Sequence, residues 1–189
     1  MSIVLASGSP RRYELLKMIG IEDFKVIVDI SDEDLTAGLS PEEQVIALSL
    51  QKAQNVARAC SKTDIIIAAD TLVYLDDEPL GKPESFADAG KMLTKLSGRV
   101  HSVFTGVTIL RDDHYVSAAE KTDVSFRELS ESEIDAYVET GEPMDKAGAY
   151  AAQGGAAVFI ERIEGDFFNV MGLPLCRLSL MLKEFGVSL

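Results

Sequence analysis

The sequence is poor in cysteine, in basic residues and in long apolar runs, and each shortage closes off a class of protein. Two cysteines, Cys60 and Cys176, stand far apart in 189 residues. With no CxxC and no His–Cys metal spacing, neither a disulfide scaffold nor a zinc module is expected, and a reduced, cytoplasmic setting is. Lys and Arg number 18 against 31 Asp and Glu, a formal charge of -13. That balance argues against extended nucleic acid or an anionic membrane as partner. A phosphate-bearing ligand must then be small, met by a local cluster of basic groups and a divalent cation. The longest apolar runs, such as Ile65–Ala69, have strand length rather than the ~18 residues of a membrane span. The opening MSIVLASGSPRR sets its basic pair after its short apolar stretch, the inverse of a secretory signal. No P-loop GxxxxGK[ST] and no GxGxxG occurs. Linkers, repeats and low-complexity tracts are also missing.

What is present reads as one globular domain over residues 1–189. Hydrophobic residues make up 47% and charged residues 26%, values of a folded chain. At this length about 70% of the unfolded surface can be buried, so no structural metal is needed. Strand-like runs alternate with amphipathic helical ones. Ile3–Ala6 predicts a buried strand, and Ser9-Pro10 starts a helix that Gly20 stops. Lys25–Val28 predicts a second strand, and Ser40-Pro41-Glu42-Glu43 is a capping box for a helix running to about Cys60. Asp64–Ala69 and Leu72–Leu75 follow, then a turn at Asp76-Asp77-Glu78 and the loop Gly81-Lys82-Pro83. A helix is expected over Ser85–Leu96, and a hairpin of Val100–Leu110 with Tyr115–Arg127. Ser130 to Glu133 repeats the capping box before a short helix. A glycine-rich loop spans Gly141–Gly155, Val158–Ile163 and Phe167–Met171 predict a hairpin, and a helix through Leu175, Leu178, Leu182 and Phe185 closes the chain. Crossovers and hairpins together predict an α/β fold with a mixed central sheet and flanking helices.

Several residues could carry chemistry. Ser7-Gly8-Ser9-Pro10-Arg11-Arg12 stands where a strand turns into a helix, aiming free N–H groups, two hydroxyls and two guanidiniums at one place. It suits phosphate; it also suits a capped helix start whose arginines point into water. Asp70 ends the apolar run Ile65–Ala69, where α/β sheets gather their ligands and where a carboxylate binds metal or takes a proton from water. A strand-end turn aspartate is the bland alternative. Lys52 falls between Leu48 and Val56, and close to Val45, in the middle of a helix's apolar stripe. It either snorkels to solvent or reaches a phosphate or Asp70. Lys82 on its loop and Glu33 in Asp32-Glu33-Asp34 read singly as solvated charges. Gln153 offers two donors and an acceptor on flexible backbone, which suits a base edge. His101 and His114 have no partner spacing, so Ser/His/Asp and Cys/His catalysis are unsupported.

SGSPRR, Glu33, QKA around Lys52, AADT around Asp70-Thr71, GKP around Lys82, KLSGRVHSV, EPMDKAGAY, Gln153-Gly154 and VMGLPL occur in that order along nearly the whole chain. Together they resemble the Maf-like nucleoside triphosphate pyrophosphatases. The resemblance implies a fold related to the inosine triphosphate pyrophosphatases, with two lobes around a cleft, and a homodimer. It further implies hydrolysis of a nucleoside triphosphate to monophosphate and pyrophosphate, with Mg²⁺ or Mn²⁺ as cofactor. By position, Asp70 matches the general base, and Ser7, Arg11, Arg12, Lys52 and Lys82 match the phosphate cluster. Glu33 and Asp70 match the metal-side carboxylates. Arg11, Thr71 and Gln153 match the branch acting on dTTP and UTP rather than 7-methyl-GTP. Ala152 departs from the pattern, which more usually has a larger residue before the glutamine. A nucleotide-binding regulator of septum formation, with little turnover, is the alternative that the same resemblance brings.

Overall fold

A computed structural model describes residues 2–31 and 38–189 of the chain. Seven strands form a mixed sheet in the order β2-β1-β3-β5-β6-β7, with β4 pairing β3 off that path. The strands are β1 (Ile3–Ala6), β2 (Phe24–Val26), β3 (Ile65–Leu75), β4 (Glu78–Leu80), β5 (Val100–Arg111), β6 (His114–Phe126) and β7 (Ile160–Glu164). The helices are α1 (Pro10–Met18), α2 (Pro41–Ala57), α3 (Phe86–Leu96), α4 (Glu131–Glu139), α5 (Phe167–Val170) and α6 (Leu175–Glu184). Among the described residues no helix is long and apolar enough to cross a membrane. The chain divides into two compact units, one of residues 1–70, 105–120 and 172–189, the other of 71–104 and 121–171. Strands β3, β5 and β6 each pass from one unit to the other.

In the first unit β1 pairs in parallel with β2 and with β3, in a register that sets Val4 opposite Ile66 and Ala6 opposite Ala68. Successive side chains alternate across a strand. Val4, Ala6, Ile66 and Ala68 therefore share one face, which packs with Ala53 and Val56 of α2. Leu5 and Ile67 turn to the opposite face and are equally inaccessible. Burial on both faces explains why Ile65–Ala69 is continuously apolar instead of alternating. The Ser40 capping box starts α2 as expected, with Ser40 Oγ accepting from Glu43 N–H and Glu43 accepting from Ser40 N–H. Its backbone then comes so close to β5 that a Cβ on Gly106 would lie 2.0 Å from the Val45 carbonyl oxygen. Only glycine permits that approach. Strand β2 is shorter than the predicted Lys25–Val28, although Ile27 N–H still reaches the Leu5 carbonyl at 3.1 Å.

The second unit packs Ala89, Leu93 and Leu96 of α3 with Val73, Leu75, Val103, Val124 and the rings of Phe126, Tyr137, Tyr150 and Phe159. Two sequence expectations fail in it. The turn after Leu75 is only Asp76-Asp77, both left-handed (φ 51° and 64°), and Glu78 already belongs to β4, paired with Leu75. Aspartate tolerates that conformation, so the hairpin closes in two residues. The second failure is the hairpin predicted for Val158–Ile163 and Phe167–Met171. Strand β7 pairs instead with β6, Val124 opposite Ile163, while Phe167–Val170 is a short helix. Asp166 caps that helix by accepting from Phe168 N–H at 2.8 Å. Its buried Asn169 donates to the Val103 carbonyl and to Thr122 Oγ1. The cap and the anchor outweigh the strand preference of the Phe167-Phe168 pair. The stretch Gly141–Gly155 contains two short 3-10 turns, Glu142–Asp145 and Ala147–Ala149, and a third runs over Gly155–Phe159.

Candidate active site

The first unit gathers five of the residues singled out in the sequence. Ser7 directly follows β1 and is buried, and α1 starts three residues later. Ser7 Oγ accepts from Ser9 N–H at 3.2 Å and from Arg12 Nη1 at 3.1 Å. Arg12 Nε donates to the Gly172 carbonyl at 2.7 Å. Arg12 is thus held at both ends of its guanidinium and does not point into water. Ser9 occupies the N-cap position, but its side chain makes no cap hydrogen bond. Arg11 stands half-buried in the first turn of α1.

Lys52 and Asp70 form an ion pair, Lys52 Nζ donating to Asp70 Oδ1, with side chains only 17% and 8% exposed. The lysine in the apolar stripe of α2 therefore reaches the carboxylate rather than snorkelling. Asp70 does not end its strand as expected. Strand β3 continues through it to Leu75, because Thr71-Leu72-Val73-Tyr74-Leu75 has the β-branched and aromatic composition of a strand. The turn-aspartate reading falls with that. A buried carboxylate is costly unless paired, and Lys52 satisfies one of its oxygens. The other, Oδ2, is buried and has no hydrogen-bond partner among the described residues. That leaves an anionic acceptor for a proton or a cation.

Sequence reasoning missed two neighbours of this pair. Asn55 lies three residues along α2 from Lys52, so both occupy one side of the helix. It donates to Asp29 Oδ2 at 3.1 Å and to Ser31 Oγ at 2.8 Å. Burial works to raise the Asp29 carboxyl, but hydrogen bonds from Ser31 and Asn55 and the Lys52 charge outweigh it and hold the group below its ordinary value. The helical spacing from Lys52 was the available signal. Glu33 lies outside the described residues.

The second unit carries the other three. Thr71 is the residue after Asp70 in β3 and is half-buried; Lys82 is exposed on the loop after β4. Gln153 is exposed in a turn closed by Gly154 N–H to the Ala151 carbonyl at 3.0 Å. Just before it, Tyr150 and His101 are both buried and bonded to each other, His101 Nε2 to Tyr150 Oη, at 2.8 Å. Burial pushes the His101 ring down to about 4, so it is neutral at physiological pH. It packs within the core of the second unit, edge-on to Phe126 and Tyr150.

No cluster of three or more His, Cys, Asp or Glu among the described residues could hold a metal by itself. The donor chemistry nonetheless fits a hard divalent cation. Mg²⁺ is commonly held by one or two carboxylates together with substrate phosphates, and Asp70 Oδ2 is a buried carboxylate oxygen with no hydrogen-bond partner among the described residues.

The mixed sheet with flanking helices is similar in fold to the Ham1 proteins. The Staphylococcus aureus Ham1 protein matches at a TM-score of 0.50 and 20% identity over 98% of this chain and 100% of that one. A HAM1 protein from Coxiella burnetii matches at 0.55 and 18%, over 97% and 99%. Within that fold class, residues 2–185 match the family of Maf-like proteins, and the chain belongs to it. Proteins named dTTP/UTP pyrophosphatase from Bacillus cereus (strain AH820) and Bacillus anthracis are each 47% identical over 186 residues, 98% of this chain and 96% of theirs.

Proposed function

We propose that this protein is a nucleoside triphosphate pyrophosphatase that hydrolyses dTTP and UTP to the monophosphate and pyrophosphate. The observation that carries the reading is the buried Lys52–Asp70 pair, with Asp70 Oδ2 left as an unsatisfied acceptor among the described residues. The 47% identity to proteins named for that reaction supports the choice of substrate.

A nucleoside triphosphate carries about four negative charges, which repel an attacking nucleophile until cationic groups spread them. Arg11, Arg12, Lys52 and Lys82 are the groups assigned to that task, with Ser7 Oγ fixing the Arg12 guanidinium. Asp70 takes a proton from a water molecule as the water oxygen bonds to the α-phosphorus. The bond from the α-phosphorus to the bridging oxygen breaks, and pyrophosphate leaves with that electron pair. Lys52, bonded to Asp70 Oδ1, keeps the carboxylate oriented and directs proton uptake to Oδ2. Asp70 and Glu33 are the residues that would hold Mg²⁺ or Mn²⁺, whose charge, when bound, neutralises the phosphate oxygens. No covalent intermediate is needed.

Base selection falls to Gln153, with Thr71 and Arg11. A thymine or uracil edge presents one N–H between carbonyls, which an amide matches, and a site built to hydrogen-bond one edge strands its own polar groups against another. The same reading includes a cytoplasmic setting, supported by the two free thiols, and a homodimer, supported by the family resemblance. The test is pyrophosphate release with Mg²⁺ and four nucleotides. The kcat/KM for dTTP and UTP should exceed that for ATP and GTP by about tenfold or more, and Gln153→Ala should flatten the ranking. Equal efficiency for all four would refute the base assignment, and no turnover of any would refute the enzyme.

A further inference from the structure

We propose that Tyr137 and Glu142 are positioning residues for base selection, bracketing the segment that carries Gln153; the inference rests on reading Gln153 as the residue that meets the base. A side-chain amide discriminates one base edge from another only if its backbone is held to a fraction of an ångström. The segment around Gln153 has little of its own to hold it. It lies in a turn, is followed by two glycines, and belongs to no strand or α-helix.

Its support comes from elsewhere in the second unit. Tyr137, on α4, is buried, with its ring edge-on to Phe159 at 5.3 Å between centroids. Its hydroxyl accepts from Ala151 N–H at 3.1 Å, two residues before Gln153, and donates to Glu142 Oε1 at 2.9 Å. Glu142 in turn accepts from Gly155 N–H, two residues after Gln153, at 3.1 Å on Oε1 and 3.2 Å on Oε2. One phenol and one carboxylate, bonded to each other, thus fix the backbone on both sides of the glutamine. Neither bonds Gln153 itself, so the amide stays available. Gly154 completes the arrangement: a Cβ there would lie 2.1 Å from Glu142 Oε1, so the carboxylate rests directly against the chain beside Gln153. Burial also raises the Tyr137 phenol well above its ordinary value, which keeps it a donor throughout the working pH range.

Bonds that merely stabilise the fold would, when lost, lower every nucleotide's turnover alike. Bonds that place Gln153 would lower the preferred nucleotides more. Tyr137→Phe removes one oxygen and leaves the ring on Phe159. Its kcat/KM for dTTP, UTP, ATP and GTP is measured beside Gln153→Ala, the double variant and Glu142→Gln, which serves if Tyr137→Phe fails to fold. The pyrimidine-to-purine ratio should narrow by about fivefold in Tyr137→Phe, which loses both hydrogen bonds of the hydroxyl. The change should appear mainly in KM, and the double variant should narrow the ratio no further than Gln153→Ala does. If Gln153→Ala narrows the ratio while Tyr137→Phe and Glu142→Gln lower all four nucleotides by one factor, or none, the positioning role is refuted and the reading of Gln153 stands. If Gln153→Ala itself leaves the ratio intact, the base assignment is refuted, and this inference with it.

Discussion

The two units hold their functional residues by opposite means. In the first, each group hangs from a regular element: Ser7 where β1 ends, Arg12 in the first turn of α1, Lys52 in mid-α2, Asp70 within β3. Three of these four groups are charged, and they are held by one another, Ser7 to Arg12 and Lys52 to Asp70. In the second unit Gln153 sits on irregular chain and is held by groups it does not touch. Its support is one carboxylate, Glu142, bonded to the Tyr137 phenol, with the buried His101–Tyr150 pair close by. Charges that must meet a polyanion can afford exposure and mutual repulsion only on a stiff frame, whereas a residue that reads a base edge needs a shaped wall, which packing supplies.

The comparison breaks first at Asp70. Asp70→Asn keeps the size and removes the charge, and should lower turnover by about 10³-fold with the fold intact. Near-normal pyrophosphate release by that variant would mean that the first unit's buried pair is structural. Lys52→Ala comes next. It leaves the Asp70 carboxylate buried without its cation, so the expected loss is about 3 kcal/mol in urea unfolding as well as a loss of activity. Combining it with Asp70→Asn should recover much of the stability and none of the activity. Additive losses in that cycle would show that the pair is not coupled.

The smaller effect sharpens the second unit's side. The folded-state value of His101, about 4, lies below its ordinary 6.5, so on acidification the unfolded chain takes up the proton first. Stability from this group is complete above about pH 6.5, falls as the pH drops towards 4, and changes no further below that. Between pH 7 and pH 5 the loss should be about 2 kcal/mol. His101→Gln, which can still bond Tyr150, should flatten that slope. An unchanged slope would assign the pH dependence to the carboxylates.

Local signals made most of the regular frame legible. Capping boxes at Ser40 and Ser130 and the apolar run Ile65–Ala69 each state, within a few residues, which conformation satisfies the backbone and buries the side chains. Lys52 was legible as an anomaly, because a charge inside an apolar helical stripe demands an anion. The errors differ in cause. Glu78 joined β4 because two left-handed aspartates close the turn one residue earlier and pair Glu78 with Leu75. Phe167-Phe168 left the sheet because Val103 and Thr122, 66 and 47 residues away, hold Asn169, and no window along the chain contains those contacts.

By itself the sequence determined most of the element types, the acidic character of the chain and which charged groups stand out, since these depend on composition, period and capping. Only the tertiary structure decided that Lys52 bonds Asp70, that one oxygen of Asp70 is left over, and that Tyr137 and Glu142 flank Gln153. Those facts join residues 18 positions apart in the first case and in the second depend on a carboxylate passing against Gly154, and such distances are set by how elements pack, not by what each element prefers.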